Sequence, residues 1–540
     1  MPPRVLICDK LEKPGQDLLV AAGIEIDNRP GLKGAELKAA LQQADGCIVR
    51  SGTRLTAELL DQPGKLRAVV RGGVGVDNID VSAATRGGII VMNTPDANTI
   101  STAEHTLSML MSMARLIPAA DASMKQGKWE KGKFLGSQLT GKTLGVIGLG
   151  RIGREVARRA SLGLGMKVVG FDPVLSPTAL GQLGIAFATQ VDDLLPQCDF
   201  ITVHTPLTPE TTNLLDQRRL ALLPKGARVI NCARGGIYNE EAVAEALKSG
   251  HLAGAAFDVF VEEPVPAGHP FLSCPNVVMT PHLGAATVEA QLLVAQESAQ
   301  LLVDYLTRGQ IRYAVNMVAL DKAELEEVGP WIDLARRMGM LATQMARGTI
   351  RKVEIHFRGE LAAKPTRLIT SAFSAGMLEN HLESVNIVNA RVLAGERGIE
   401  IIEQSNTQKG DFKSLIKAVI HTEQKSYTVS ATTFGNQYLR IVQIGAFKVD
   451  VPIDGVLLIF SHEDVPGLIG RVGNIMGEHG VNIAGMNVGR KAQGGEAIGI
   501  LNLDSVPPEA AVAKMLEHPK ITSVSLVKLP AMGVRPAWLG

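Results

Sequence analysis

The sequence predicts an α/β protein in which doubly wound parallel sheets occupy the first 315 or so residues and an α+β part follows. In the first part, short apolar runs alternate with amphipathic stretches of helical length, as parallel strands with helical crossovers do. In the second part, several strand-like runs follow one another directly. The last stretch reads β-α-β-β-α-β, which is the split-βαβ, ferredoxin-like order.

Length and composition limit the function classes. A chain of 540 residues is too long for one core, because single cores stop growing at about 250–300 residues. Lys+Arg 55 against Asp+Glu 54 removes the basic excess that is typical of nucleic-acid binders, so no nucleic-acid partner is predicted. The five cysteines form no CxxC pair, which argues against a disulfide framework or a bound metal and favours a reducing, cytoplasmic compartment. No apolar run reaches about 18 residues and no secretory signal is recognisable, so no membrane partner is expected.

Two series of apolar runs define the strands of the first part. The first series is predicted at Val5–Asp9, Gly46–Ser51, Leu66–Gly73 and Gly88–Thr94. The second is predicted at Thr143–Gly150, Lys167–Asp172, Phe200–Thr205, Ala227–Ala233, Gly254–Phe260 and Asn276–His282. Helical runs at Ser101–Leu116 and Val288–Gly309 lead the chain out of the first domain and back into it.

The texture changes after Val315. An amphipathic stretch at Leu320–Phe357 precedes hairpin-compatible strands in Leu415–Pro452, and the last unit begins at Gly455. We therefore expect four domains: residues 1–98 with 287–316, residues 99–286, residues 317–453 and residues 454–540.

A GxGxxG motif predicts a dinucleotide site. Gly148, Gly150 and Gly153 follow an apolar strand and open a helical run, and Asp172 ends the next strand about 20 residues further on. The first glycine permits a tight turn, the second lets backbone approach a pyrophosphate, and the third permits close helix–strand contact. Asp172 would bind ribose hydroxyls and repel a 2′-phosphate, which favours NAD over NADP.

Three residues at the carboxyl ends of strands could oxidise a hydroxy acid. His282 could take the hydroxyl proton, Glu263 could orient that imidazole, and Arg234 could hold a carboxylate with its planar fork. Active sites of open parallel sheets lie outside these strand ends.

The segments GLGRIGREVA, HTPLTPETT, NCARGG, AAFDVFVEEP and TPHLGA resemble the D-isomer-specific 2-hydroxyacid dehydrogenases. The resemblance covers about residues 4–315. It implies a flavodoxin-like substrate domain, a Rossmann NAD domain, NAD as cofactor and catalysis by Arg234, Glu263 and His282. Val74 departs from the polar residue of some relatives, so only a backbone or apolar cofactor contact is expected there. The remaining implied cofactor contacts are Arg151, Ile152, Thr205, Cys232, Ala233, Arg234, Asp258, His282, Leu283, Gly284 and Ala285.

Within that family the chain most resembles the long-type members that oxidise 3-phospho-D-glycerate in serine synthesis. The segments CIVRSGTRLT, VVRGGVGVDNID, TPDANTISTAEHT and MKQGKWEKGKF support this. The resemblance implies a basic phosphate site in the first domain, backbone N–H contacts from residues 72–76 and a homotetramer. Its substrate-binding candidates are Arg50, Ser51, Arg54, Arg71, Gly72, Gly73 and Asn98, with Lys131 and Lys133 as looser ones.

The final unit resembles an ACT domain, an amino-acid-sensing module, through HEDVPGLIGRVGNIMGEHGVNIAGM. This implies serine as an effector, bound by His462, Asp464 and Asn482; Asp464 stands where some serine-sensitive relatives have an amide. An oligomerisation module without a ligand is the alternative. In the intervening part, His421, Lys425 and Arg440 are polar candidates for an anion.

Two other functions stay open. One is a glyoxylate or hydroxypyruvate reductase, or another D-2-hydroxyacid dehydrogenase of the same family, against which the basic residues and the ACT-like tail argue. The other is a non-catalytic NAD-responsive binding protein of the corepressor kind.

Overall fold

The computed structural model describes residues 2–173, 175, 185–274, 276–317, 322–382, 385–435 and 438–534. Within them the chain forms four sheets, two entirely parallel and two in the C-terminal part that are mixed or antiparallel. The predicted fold class is confirmed. Leu320 and Asp321, and the last residues of the predicted final unit, 535–540, lie outside the described residues.

The first sheet has the order β2-β1-β3-β4-β5, and all its neighbours are parallel. The strand β2 was not predicted, because its residues EIDN are polar and only partly buried. The strands are β1 (Arg4–Ile7), β2 (Glu25–Asn28), β3 (Gly46–Val49), β4 (Ala68–Arg71) and β5 (Ile90–Asn93). Its helices are α1 (Lys13–Ala21), α2 (Gly34–Gln43), α3 (Ala57–Leu60) and α4 (Val81–Arg86).

Two long helices connect the first sheet with the second. The first is α5 (Thr99–Ala114), followed by α6 (Ile117–Lys125) and a short 3-10 helix at Lys131–Lys133.

The second sheet is parallel, with the order β12-β11-β10-β9-β6-β7-β8. The strand order reverses at β6, so its carboxyl end opens onto the crevice where doubly wound sheets bind ligands. The strands are β6 (Thr143–Ile147), β7 (Lys167–Phe171), β8 (Ala186–Phe187), β9 (Phe200–Val203), β10 (Ala227–Asn231), β11 (Leu252–Phe257) and β12 (Val277–Met279). The helices are α7 (Arg151–Leu164), α8 (Val191–Leu194), α9 (Gln217–Leu220) and α10 (Glu240–Lys248), with 3-10 turns at Leu195–Gln197 and Pro270–Ser273.

The chain returns through α11 (Val288–Arg308), the second of the two long helices. The Thr287 hydroxyl caps this helix by accepting the Ala290 N–H at 3.1 Å, and Gly309 ends it in the left-handed conformation. Helix α11 packs against α1 so closely that a Cβ at Gly15 would lie 2.5 Å from the carbonyl oxygen of Ala295. The returning helix is therefore part of the first unit.

The third sheet has the order β14-β13-β15-β16-β17-β18, with only the β13–β14 pair parallel. Its strands are β13 (Ile350–Gly359), β14 (Glu400–Asn406), β15 (Ser414–Thr422), β16 (Ser426–Phe434), β17 (Tyr438–Ile444) and β18 (Phe447–Pro452). Its helices are α12 (Lys322–Met345), α13 (Thr366–Leu378) and α14 (Ala390–Glu396), with a 3-10 turn at Glu360–Ala363.

The fourth sheet is antiparallel, with the order β20-β21-β19-β22. Its elements follow the predicted β-α-β-β-α-β order. They are β19 (Val456–Glu463), α15 (Leu468–Glu478), β20 (Ile483–Arg490), β21 (Glu496–Leu503), α16 (Glu509–Leu516) and β22 (Ile521–Lys528).

Arg337 of α12 joins the third and fourth units. Its side chain is fully buried, and its guanidinium donates to the carbonyl oxygens of Pro530 at 2.6 Å and Ala531 at 3.1 Å and to Asp333 at 3.0 Å. No helix among the described residues has the length and apolar character that crossing a bilayer requires.

Candidate active site

A histidine and a glutamate meet at the carboxyl end of the second sheet. His282 Nδ1 lies 2.8 Å from Glu263 Oε2, and Glu263 Oε1 accepts the Phe260 N–H at 3.0 Å. Burial raises the pKa of Glu263, but the hydrogen bonds from His282 and Phe260 outweigh this and hold it below its usual range. An ionised Glu263 can only accept, so Nδ1 carries the proton of the pair and Nε2 is left to take one from a substrate.

Asp258 holds the turn that carries His282. His282 has a φ of 57°, in the left-handed region. Its N–H donates to the Asp258 carbonyl at 2.9 Å, and the Asp258 carboxylate accepts the N–H groups of Leu283 at 2.7 Å and Gly284 at 2.9 Å. Asp258 was expected to contact the cofactor, but it is only 1% exposed. The structure places its carboxylate behind the turn, where it supports the residues that face the crevice.

Arg234 lies across the cleft between the first two sheets. Its Nε donates to Asp77 Oδ2 at 2.9 Å and its Nη1 to the Ala233 carbonyl at 2.6 Å. Asn231 fixes this segment by donating to the Arg234 carbonyl at 2.8 Å. A Cβ at Gly75 would overlap the Arg234 guanidinium, so that glycine makes room for the cation. Asp77 was not singled out from the sequence, although it follows the glycines of VVRGGVGVD.

Arg71 is a second cation of this cleft, and it has no carboxylate partner among the described residues. Its Nε is buried without a hydrogen-bond partner. Burial, together with the nearby cations Arg234 and Arg50, lowers the pKa of Arg71 to about 10. Arg50 has a distant carboxylate, since its Nη1 lies 3.8 Å from Glu12 Oε2. The three guanidiniums, which are predicted from separate motifs, therefore lie together. Among the described residues, only Arg234 of these three has a carboxylate in close contact.

The two glycines that follow Arg71 in the sequence have different surroundings. Gly72 donates its N–H to the Val49 carbonyl at 2.8 Å within the sheet, so the expected N–H contact from Gly72 to a substrate is wrong. A Cβ at Gly73 would overlap the Arg71 guanidinium. The Val74 carbonyl accepts from Asn93 at 2.6 Å.

Asn98 Oδ1 and Ser298 Oγ are buried polar atoms that have no partner among the described residues. Asn98 was predicted from the sequence, whereas Ser298 was not, because a serine inside a long helix gives no signal of its own. A Cβ at Gly72 would lie 3.4 Å from both Ser298 Oγ and Arg50 Cγ, which places Ser298 beside the cations. Ser51 and Arg54 are exposed and lie close to Arg50 in the sequence. Lys131 and Lys133 are also exposed, and Lys133 pairs with Glu130 at 2.6 Å.

The GxGxxG loop has the geometry that its spacing predicts. Gly148 has a φ of 89°, and a Cβ there would lie 2.7 Å from the His204 carbonyl oxygen. A Cβ at Gly153 would overlap the Gly148 carbonyl oxygen, whereas one at Gly150 would have no described atom within 4 Å. The loop is thus closed on its protein side and open on the side where a pyrophosphate would lie.

Asp172 ties this loop to the next strand. Its Oδ2 accepts the Leu149 N–H at 2.8 Å and its Oδ1 the Leu175 N–H at 3.3 Å. Each carboxylate oxygen has two lone pairs and can accept more than one hydrogen bond. Thr205 Oγ1 is buried near the same crevice and has no partner in the part of the chain that the structure describes.

The side chains of Arg151 and Cys232 are engaged within the protein. Arg151 Nε pairs with Asp96 Oδ1 at 2.5 Å, so the expected cofactor contact of this residue would come from its backbone at the start of α7, next to Ile152. Cys232 is buried, and burial raises the pKa of its thiol to about 12. Ala233 donates its N–H to Asn231 Oδ1 at 3.1 Å. Ala285 follows Gly284 in the turn held by Asp258.

The three predicted effector residues behave unequally. His462 is buried, its Nδ1 lies 2.7 Å from the Glu463 carbonyl, and its Nε2 has no partner among the described residues. Asp464 is already paired with Arg490 Nη1 at 2.7 Å, and this contact and the Gly494 N–H hold its pKa below the ordinary value. Arg490 was missed by sequence reasoning.

Asn482 donates to Asp504 at 2.6 Å.

In the third sheet the anion candidates do not converge. His421 is opposite Ser426 at one end of β16, Arg440 is opposite Thr432 further along it, and Lys425 lies over the ring of Tyr427. The three candidates therefore do not form one anion site among the described residues.

Three family descriptions match the chain in succession. They are the D-isomer specific 2-hydroxyacid dehydrogenase NAD binding domain over residues 107–284, the D-3-phosphoglycerate dehydrogenase intervening domain over residues 327–445, and the ACT domain over residues 456–519.

Curated relatives match nearly the whole length. A D-3-phosphoglycerate dehydrogenase of Methanocaldococcus jannaschii is 40% identical over 527 residues, covering 97% of this chain and 100% of the relative. That of Bacillus subtilis is 41% identical over 529 residues, covering 98% and 100%.

Solved structures match a little over half of the chain. A protein from Thermus thermophilus is 37% identical with a TM-score of 0.53, covering 58% of this chain and 99% of that one. A glyoxylate reductase from Paecilomyes thermophila is 26% identical with a TM-score of 0.54, covering 58% and 98%.

Proposed function

The chain belongs to the D-3-phosphoglycerate dehydrogenase family, and from that premise we propose that it oxidises 3-phospho-D-glycerate to 3-phosphohydroxypyruvate with NAD, the first step of L-serine biosynthesis. One observation carries the substrate assignment. The guanidiniums of Arg50, Arg71 and Arg234 lie together beside the crevice. Among the described residues, fewer carboxylates than guanidiniums are in close contact with this group. Such a cluster suits a small substrate that bears both a carboxylate and a phosphate.

His282 is the base of this reaction. Its Nε2 accepts the proton of the C2 hydroxyl, while Nδ1 keeps its own proton and its 2.8 Å contact with Glu263. The negative charge of Glu263 stabilises the imidazolium that forms. In the reductive direction the same imidazolium returns the proton to the C2 oxygen.

Arg234 and Arg71 divide the two ends of the substrate. Arg234 is next to the glycines of the first unit and binds the carboxylate of the substrate. This contact directs the C2 carbon of the substrate toward the crevice. Arg71, with Arg50, takes the phosphate, and the buried Nε of Arg71 gains the partner that it lacks among the described residues. The Asn98 amide oxygen, which is buried without a partner among the described residues, accepts from a substrate hydroxyl.

The residues of the loop after β6 fit NAD. Gly150 leaves open space, the N-terminus of α7 is directed at it, and Thr205 Oγ1 is a buried donor unused by the described residues. When bound, the nicotinamide supplies the acceptor for the hydride that leaves C2. Asp172 binds the ribose hydroxyls, and its charge disfavours a 2′-phosphate.

An absorbance assay of NADH formation tests the function. The full chain should reduce NAD with 3-phospho-D-glycerate and should reduce NADP far less well. His282→Gln should abolish turnover and leave NAD binding, measured by fluorescence, nearly unchanged. Wild-type-like turnover of this variant would exclude His282 as the base. Better activity with glyoxylate and NADH than with the phosphorylated substrate would instead favour the reductase.

Regulation by serine belongs to the same proposal. The ACT unit has a buried His462 Nε2, unpartnered among the described residues, next to an Asp464–Arg490 ion pair. A zwitterionic amino acid can replace that pair, with its ammonium on Asp464 and its carboxylate on Arg490. This mode keeps the expected role of Asp464 and adds Arg490, which the sequence did not single out.

We also propose a cytoplasmic homotetramer. The five cysteines are free thiols, which supports a reducing compartment. Large apolar side chains are exposed at Trp129, Leu135 and Leu162, and burial of such a surface between copies would stabilise an assembly. We assign residues 1–98 and 287–316 to substrate binding, 99–286 to NAD binding, and 317–453 and 454–540 to regulation. A mass measurement in solution tests the tetramer.

A further inference from the structure

His105 of α5 is directed at the network that supports the catalytic turn. Its Nε2 lies 3.1 Å from Asp258 Oδ1 and 3.2 Å from Thr280 Oγ1. The Thr280 hydroxyl itself donates to Asp258 Oδ1 at 2.6 Å. Because an ionised carboxylate has no proton to give, Nε2 must carry the hydrogen and donate it to Asp258. His105 thus reaches the reacting centre through Asp258, from a helix that carries none of the predicted site residues.

We infer that His105 is a positioning residue for His282. This inference rests on the proposed function, since it names a further group for the same oxidation. His105 Nε2–H keeps the Asp258 carboxylate ionised and in place, and that carboxylate keeps Leu283, Gly284 and the left-handed His282 in their turn.

Burial supports this dependence. Asp258 is 1% exposed, so its charge has to be stabilised by neighbouring donors. Burial raises its pKa, and the His105, Thr280 and Leu283 hydrogen bonds more than compensate, so that the pKa lies below its ordinary value. His105 stands first among these compensating contacts. Without this hydrogen bond, the pKa of Asp258 would be less depressed and the turn would lose part of its anchor.

The titratable groups around Asp258 come from four places in the fold. His105 faces it from α5, Cys232 from the end of β10, and Glu263 and His282 from the loops that follow β11 and β12. Among these, only the removal of His105 changes a donor to Asp258 without touching the reacting atoms.

Two substitutions in the full chain test the inference. His105→Leu removes the donor, whereas His105→Gln keeps an N–H donor of similar reach. Glu104→Gln is the matched control, because Glu104 is exposed on the same helix and pairs with Arg159 at 3.1 Å. We expect kcat to fall roughly 10- to 100-fold in His105→Leu, and to stay within about 3-fold of wild type in His105→Gln and Glu104→Gln.

The pH profile separates positioning from simple packing. In His105→Leu the acid limb of kcat should move to higher pH, because Asp258 takes up a proton more readily, and in His105→Gln it should stay near its wild-type place. An unchanged limb and rate in His105→Leu would overturn the inference. Equal losses in both His105 variants, with equally lowered melting temperatures, would also overturn it and show a packing role. If the wild-type chain itself lacked activity, the proposed function would fail. NAD binding by the variants is measured separately, so this failure can be distinguished from a failure of the inference about His105.

Discussion

Gly153 packs against the carbonyl oxygen of Gly148 with no room for a methyl group between them. Gly150, between these two residues in the same loop, has open space on its side-chain side. The three glycines of one motif therefore serve two purposes, since the outer pair shapes the loop and the middle one admits a ligand.

Alanine at these glycines should separate fold from cofactor binding. Gly153→Ala forces the loop apart and should lower the free energy of unfolding by about 1–3 kcal/mol, as overpacking does, in the absence of NAD. Gly150→Ala should leave that free energy within about 1 kcal/mol of wild type, yet weaken NAD binding at least about 10-fold, because the methyl group occupies the pyrophosphate side. Denaturant unfolding and NAD titration measure the two effects. Equal NAD affinity of Gly150→Ala and wild type would place the pyrophosphate elsewhere.

Replacement of Arg71 should weaken substrate binding and raise the free energy of unfolding. The lowered pKa, about 10 against the ordinary 12.5, shows that the charged side chain is unfavourably placed in the cleft. Arg71→Met should raise the free energy of unfolding by up to about 3 kcal/mol. It should also raise the KM for 3-phospho-D-glycerate by about 10- to 100-fold, since charge-assisted hydrogen bonds are lost. An equal rise in KM for an unphosphorylated hydroxy acid would refute the phosphate role. Arg67→Met, near the start of the same strand and paired with Asp45 at 3.5 Å, is the control.

His204 should make the fold sensitive to acid. Burial lowers its pKa to about 4, from an ordinary value of 6.5. The unfolded chain therefore binds more protons between these values, so stability is complete above about pH 6.5 and falls as the pH drops toward 4, by at most about 3 kcal/mol. Unfolding of His204→Gln followed at pH 5 and pH 7.5 should show a smaller difference than wild type. An identical difference in His204→Gln and in wild type would contradict the assignment.

Serine should inhibit the full chain through His462. His462→Ala should abolish inhibition without changing kcat, because the buried Nε2 is far from the catalytic turn in the sequence and lies in another sheet. His479→Ala is the control within the same unit, since its Nδ1 lies 2.8 Å from the Ile475 carbonyl at the end of α15. Serine sensitivity that persists in His462→Ala would exclude His462 as a serine ligand, whereas insensitivity of the full chain would leave the ACT unit as an assembly element.

Local sequence patterns predicted much of the fold and of the site. Buried parallel strands are continuous apolar runs, and Arg234, Glu263 and His282 each follow such a run, so their common edge could be inferred. The strand at Glu25–Asn28 escaped because edge strands need not be apolar.

What the sequence could not supply were contacts between distant segments. The pairing of Asp464 with Arg490 depends on a loop and a strand 26 residues apart, and that of Arg234 with Asp77 on two different sheets. Nothing local to Ser298 or His105 distinguishes them from ordinary helix residues. Their meaning comes only from the neighbours that folding brings to them.

The fully buried Arg337 limits how this protein can be divided. Its guanidinium is satisfied by carbonyl oxygens of the segment that follows β22. Removal of the C-terminal unit alone would take away two acceptors of this guanidinium and leave it with Asp333 of its own helix. The C-terminal unit is therefore not independent of the third unit at its own border. A truncation that separates none of these contacts would be made before α12. Gain or loss of regulation should therefore involve both C-terminal units together.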